Sequence, residues 1–234
     1  MPFQPEATSR TLTRKGQATR DRIVAAAAAL IQERGAARTT TEDVLEAAGV
    51  SSSQLYHYFK DKMSLVRSVI AYQTDAVLGA QSEFLGRLDS MSALRRWRNL
   101  LVRTQRGLHC EGGCPLGTLS TELAETVPEA RVDLEIAFER WEAGIRAGLR
   151  AMRERGELRT NVDPDRLATA LLAAVQGGLL LTQVRRNTRP LEAAVDAVLD
   201  HIESLTEQPL PNSGQSGPRT ASRWPERRTR ASAR

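Results

Sequence analysis

Residues 51–62, Ser-Ser-Ser-Gln-Leu-Tyr-His-Tyr-Phe-Lys-Asp-Lys, bring hydroxyl, amide, imidazole, phenol and ammonium groups into one short segment. At helical spacing Leu55 and Phe59 share one face, while Ser52, Ser53, Gln54, Tyr56 and His57 point the other way. A short helix that buries two apolar residues and presents polar and aromatic ones suits the base edges and phosphates of a DNA major groove. A second stretch, His109 to Gly117 (His-Cys-Glu-Gly-Gly-Cys-Pro-Leu-Gly), carries residue types used for metal binding, redox switching or Cys–His nucleophiles. Its Cys-x₃-Cys with one neighbouring histidine lacks the second paired half of a zinc site, and a lone cysteine is usually a small buried hydrophobe. Nowhere does the sequence combine a nucleophile with its base and an orienting acid. An enzyme is therefore rejected, with no catalytic residue, metal or cofactor expected; redox or metal sensing through Cys110 and Cys114 stays as an alternative.

The elements that must position the first segment are legible. Thr39 and Glu42 have the spacing of a capping box, which predicts a helix starting near Thr40. Gly49 can end it in the left-handed conformation of a C′ residue. Ser51 and Gln54 form a second capping box, which predicts another helix over 52–58. Val44, Leu45 and Ala48 on the first helix can meet Leu55 and Phe59 on the second. The pattern is a helix-turn-helix. A helical hairpin that binds another protein is the competing reading, and it predicts no salt-sensitive DNA binding.

Gly49-Val50-Ser51, Leu55-Tyr56-His57-Tyr58-Phe59, Lys62 and Leu65 together resemble the DNA-binding domain of the TetR family of transcriptional regulators, over about Arg22 to Leu65. Ser53, where the family mostly has glycine, alanine or proline, and Leu45, where alanine is frequent, depart from its pattern. The resemblance implies contacts to an inverted-repeat double-stranded operator from Thr40, Ser51, Ser52, Ser53, Gln54, Tyr56, His57, Tyr58 and Lys62. Tyr56, His57 and Lys62 would hold backbone, Thr40 a phosphate, and Ser52, Ser53 and Gln54 would lie nearest the bases. It also implies repression, and a variable helical body that binds small molecules and dimerises through its last two long helices.

Composition agrees with an all-α protein: aromatics are scarce at 4% while alanine, leucine and arginine abound. The net charge of +5 is uneven, with +3 on residues 1–22, +5 on 209–234 and −3 on the body between them. The positive field that attracts phosphate thus sits on the tails. The start, Met1-Pro2-Phe3-Gln4-Pro5, has no apolar run, and two cysteines make no disulfide framework. Leu167 to Val184 is 18 residues without a charge, the threshold length for a membrane span, yet it holds two glutamines, two glycines and two threonines. A buried helix in a cytoplasmic protein is expected.

In chain order the sequence predicts about nine helices and no strand. A flexible basic arm covers 1–18, and the helix-turn-helix domain 19–62 opens with a helix from Thr19 to Arg34 ended by Gly35. The ligand-binding and dimerisation domain covers 63–206. Its expected helices start at Asp61, cover 91–108, 116–125 and 128–155, and then follow Asp163-Pro164 and Pro190. A disordered basic tail covers 207–234; six arginines on it would add non-specific, salt-dependent affinity for nucleic acid.

Two further sites are expected in the body. An apolar pocket between the helices at 91–108, 116–125 and 128–155 would be lined by Trp97, Leu101, Cys114, Phe138, Trp141 and Ile145, with Gln105, His109 and Gln176 as polar contacts. The segment Gly-Cys-Pro-Leu-Gly resembles one found in a family branch that answers to drug-like or flavonoid-like compounds, which implies an apolar or aromatic effector. A homodimer is expected through 164–186 and 190–205, with Ala168, Leu171, Leu172, Val175, Leu179, Val195, Val198 and Ile202 as contacts. The helix at 164–186 is apolar on every side and must be covered, and Gly177-Gly178 invite close approach of another helix.

Overall fold

The computed structural model describes residues 12–206. These form ten helices: α1 Arg14–Arg34, α2 Thr41–Ala48, α3 Ser52–Tyr58, α4 Lys62–Gly79, α5 Ser82–Leu85, α6 Met91–Gly107, α7 Pro115–Leu123, α8 Pro128–Glu154, α9 Pro164–Arg185 and α10 Arg189–Ser204. The all-α expectation holds among the described residues, with ten helices instead of nine. The additional one, α5, is a single turn, too short to show periodicity. The expectations for most of the arm and for the tail concern residues outside the described ones.

The first helix starts five residues before the expected Thr19. Thr13 caps it, its hydroxyl accepting from the Gly16 N–H at 3.1 Å. Thr19 sits inside the helix and donates to the Lys15 carbonyl. Residues 14–18 therefore belong to the head and not to an arm.

The head is α1 to α3, packed around Ile23, Val24, Ala27, Val44, Leu55 and Phe59. α4 lies against α1 on one side and α8 on the other. The body closes around α8, α9 and α10, with α6 laid on α10. Arg95, Arg98 and Arg106 of α6 face Glu203, Asp196 and Glu192 of α10 at 2.6, 2.5 and 2.8 Å. The more exposed of these pairs fix register more than they stabilise, at about 0–1 kcal/mol each.

α9 answers its own sequence riddle. Gly178 faces α10, where a Cβ would sit 2.8 Å from the Leu191 Cα, so the close approach that this glycine permits occurs inside the protomer. Gly177 faces open space. α9 is long and apolar enough to cross a membrane, but it runs along α8 and α10. Its other side carries Leu180, Leu181 and Val184, which are 59%, 44% and 72% exposed. Within the single chain one face of α9 is core and the other is bare, so the expected cover on that second face is not supplied by the protomer itself.

Candidate nucleic-acid interface

Each helix of the helix-turn-helix starts at a reciprocal cap. At α3, the Ser51 hydroxyl accepts from the Gln54 N–H at 3.2 Å while Gln54 Oε1 accepts from the Ser51 N–H at 3.0 Å, as the sequence predicts. At α2 the box is shifted by one residue from Thr39 and Glu42. Thr40 and Asp43 form it, and Thr39 is buried with its hydroxyl donating to the Gly35 carbonyl at 2.8 Å. Hydrogen bonds from the Thr40 backbone and hydroxyl, then Arg34, hold the Asp43 carboxyl below its usual range. Gly49 takes the left-handed conformation at φ 61°, and Arg22 Nε donates to the Ala48 carbonyl at 2.9 Å, closing the turn.

These caps present α3 outward. Leu55 and Phe59 are buried, with the Arg20 guanidinium 5.4 Å over the Phe59 ring. Ser52, Ser53, Gln54, Tyr56 and His57 are all exposed, as is Lys62 at the start of α4. Tyr58 is half-buried, edge-on to His57 at 4.9 Å. The Tyr58 hydroxyl lies beside Gly16, so the first turn of α1, with exposed Arg14 and Lys15, adjoins the recognition helix. The sequence places these two cations on a flexible arm; the Thr13 cap puts them on the first turn of α1 instead. Thr40 is exposed, but its hydroxyl also donates to Asp43 at 2.7 Å, so a phosphate there must compete with the cap.

Gln54 is divided in the same way. Its oxygen serves the cap, and its amide N–H groups alone are left to donate to base acceptors. Gln54→Glu should keep the cap while replacing donors with an acceptor and a negative charge. Sequence preference should change, with about 1–3 kcal/mol lost at each base the amide served. Lys62→Ala should weaken all sequences alike and lower the salt slope by about one unit. Competition binding on a randomised operator reads both, and the assignment is wrong if Lys62→Ala alters preference while Gln54→Glu does not.

The body places the expected pocket residues differently. Trp97, Leu101, Trp141 and Ile145 are packed in the core, and Trp97 Nε1 donates to Gln81 Oε1 at 2.9 Å. His109 is exposed, and Phe138 lines a shallow groove on the outer side of α8. Cys114 and Gln176 of the expected set line one groove together, between α7 and α9. Yet Gln105 Oε1, Trp141 Nε1 and Gln176 Nε2 are each buried without a hydrogen-bond partner. Burial pushes the Cys114 thiol up, which makes it a poor nucleophile. Among the described residues no group of three or more His, Cys, Asp or Glu side chains can hold a metal.

Seven of the eight expected dimer contacts are buried in the protomer's own core, and Val198 is half-buried against it. The outward face of α9 and α10 instead carries Ala173, Gly177, Leu180, Leu181, Val184 and Ala197.

Side-chain hydrogen bonds tie α4 to α8 and tie the head to the body, where Gln32 Nε2 of α1 donates to the Gly112 carbonyl at 2.8 Å. Arg67 of α4 grips Asp133 of α8 at 2.6 and 2.9 Å. Separately, Glu122 of α7 accepts from the Ala36 N–H at 2.6 Å, just beyond α1.

A capped helix-turn-helix with an exposed polar recognition face, carried on a helical body, defines a DNA-binding regulator and not an enzyme. The chain belongs to the TetR family of bacterial transcriptional regulators. Residues 23–69 match the model "Bacterial regulatory proteins, tetR family" and residues 90–198 "Tetracyclin repressor-like, C-terminal domain". An uncharacterized HTH-type transcriptional regulator of Mycobacterium tuberculosis is 32% identical over 186 residues, covering 75% of this chain and 90% of that one. The HTH-type transcriptional repressor DhaR of Mycobacterium sp. strain GP1 is 26% identical, covering 80% and 94%. A TetR transcriptional regulator from Chloroflexus aurantiacus has a similar structure, with a TM-score of 0.71 and 28% identity over 83% of this chain and 98% of that one.

Proposed function

We propose that this protein is a cytoplasmic repressor that binds an inverted-repeat operator as a homodimer and is released by a small apolar or aromatic effector. The observation that carries the reading is the recognition helix, whose polar and aromatic residues are exposed while Leu55 and Phe59 anchor it. Support for the dimer is the bare apolar face of α9 beside α10, with small residues that let a second copy approach. Two copies related by a two-fold axis suit a palindromic site. The word repressor in the name of DhaR supports the sign of regulation.

Support for an effector comes from three uncharged buried atoms without a hydrogen-bond partner, Gln105 Oε1, Trp141 Nε1 and Gln176 Nε2. Burying an unpaired polar atom costs about 1–3 kcal/mol, which a ligand offering matched groups would recover. An effector releases DNA only by preferring the body conformation that misplaces the heads. It should therefore bind free protein about 5–150-fold more tightly than operator-bound protein. Titrating aromatic compounds against the protein with and without the DNA upstream of its own gene, by gel shift and tryptophan fluorescence, tests this. Equal affinity in both arms would show a pocket without a switch, and no binding to that DNA at low salt would remove the repressor reading.

A further inference from the structure

The groove between α1, α4 and α8 has a volume of about 820 Å³, within the range of about 300–1,000 Å³ usual for small-molecule sites. Neither α9 nor α10 contributes to its walls, so it lies off the proposed dimer seam. Its floor is apolar, made by Val24 of α1, Ile70 of α4 and Ala137 of α8, all of them core residues. Tyr72 and Ile136 also line it, 44% and 54% exposed, so two large apolar side chains that the chain leaves in water meet there.

The charges around this groove are matched, with one exception. Arg67 pairs with Asp133 and Arg140 with Asp75, at 2.6 and 3.1 Å, and Asp21 accepts from Gln17 Nε2 at 2.7 Å. Arg20 is the exception. One of its N–H groups donates to the Ser68 hydroxyl at 3.1 Å, and its guanidinium lies 5.4 Å over the Phe59 ring. Among the described residues no carboxylate lies within ion-pairing distance of it. A guanidinium has five N–H donors, so this half-buried cation keeps several of them, and its charge, beside an apolar floor.

From the uncompensated Arg20 guanidinium, the Ser64 and Ser68 hydroxyls in the lining and the apolar floor, the structure assigns this groove as a site for an amphiphilic carboxylate. It is separate from the effector pocket proposed for the body. The carboxylate takes Arg20, whose planar fork suits two oxygens at once. The apolar chain runs over Val24 and Ile70 towards Tyr72. Ser68 and Tyr72 are one turn apart on α4, about 6 Å, so a medium-length acyl chain crosses from one to the other. The anion draws the guanidinium off Phe59, the residue that closes the C-terminal end of α3, and off Ser68 of α4. A ligand that favours this changed seating of the recognition helix weakens operator binding, and operator weakens the ligand by the same factor.

Octanoate, with octanamide as a neutral control of the same length, tests the assignment on the full-length protein by ligand-observed NMR. Octanoate should bind, and octanamide should bind about tenfold more weakly, since it brings no charge to Arg20. Arg20→Gln should lower octanoate to the level of octanamide and leave octanamide unchanged. Ala71→Phe should abolish both signals by filling the groove. Ala71 is exposed on the groove wall and outside the core, so this variant keeps the test open if Arg20→Gln unfolds. No binding of octanoate by the wild type, equal binding of octanoate and octanamide, or octanoate held equally by wild type and Ala71→Phe overturns the site. In gel shifts octanoate should weaken the operator complex of the wild type about fivefold or more and leave that of Ala71→Phe unchanged. Octanoate bound in the groove with operator affinity unaltered keeps the site and overturns its link to α3.

Discussion

Leu180→Glu should leave the protein folded and break the dimer, and with it the tight reading of an inverted repeat. Leu180 is 59% exposed on the bare face of α9, so a carboxylate there is solvated in the single chain. Paired with its symmetry copy across a two-fold seam, it would be buried against a like charge. Joining two heads makes the second half-site contact intramolecular, an advantage of about 10²–10⁴ in affinity. Operator binding should fall by that amount while each head keeps its weak, salt-dependent grip on DNA. Leu172→Glu is a contrasting variant. Leu172 is only 6% exposed, inside the protomer, so a charge there should unfold the chain instead of separating two copies. Sedimentation, circular dichroism and gel shifts on the same samples decide. A Leu180→Glu monomer that binds the full palindrome as tightly as wild type would end the dimer proposal.

Trp97→Ala should cost about 3–5 kcal/mol, the range for emptying a large aromatic from a core. That is a large part of the about 5–15 kcal/mol that holds a domain together. Trp97 is fully buried and its indole N–H serves Gln81. Trp97→Phe removes that donor and leaves the buried Gln81 oxygen unpaired, at about 1–3 kcal/mol. Trp141 is as deeply buried, but its indole N–H has no partner. Trp141→Phe should therefore be close to neutral in stability, apart from a small cavity, and its effect should appear in ligand affinity. Urea unfolding of the two phenylalanine variants makes the comparison. Equal losses would mean that the two nitrogens are in the same situation, contrary to the hydrogen bonds observed.

The head was legible because its information is local. A cap, a left-handed glycine, a second cap and an inner face all lie within 21 residues, from Thr39 to Phe59. Where local signals compete, the sequence misleads. Thr39 with Glu42 and Thr40 with Asp43 are equally good boxes, and only the burial of Thr39 chooses between them. Thr13 and Thr19 offer the same ambiguity at α1. The body hides more. Along α9 both faces are built from alanine, leucine and valine, so periodicity cannot say which is bare. The glutamine contacts around the cysteine loop join residues about 60–80 positions apart, and nothing in the spacing of Gln32, Gln176 or Gln183 announces them.

The head and the bare face of α9 sit at opposite ends of the chain, and this sets an order in time. α1 to α3 leave the ribosome first and can assemble around Ile23, Leu55 and Phe59 while the rest is still being made. The roughly 130 residues from Tyr58 to Arg185 follow at about 5–20 residues per second, a delay of about 6–25 s. Through that interval a nascent chain carries one recognition helix and no seam, so it samples DNA only as a single weak head. On the proposed dimer, a chain truncated before α9 cannot occupy the operator tightly, and damaged or unfinished copies do not silence the regulated gene.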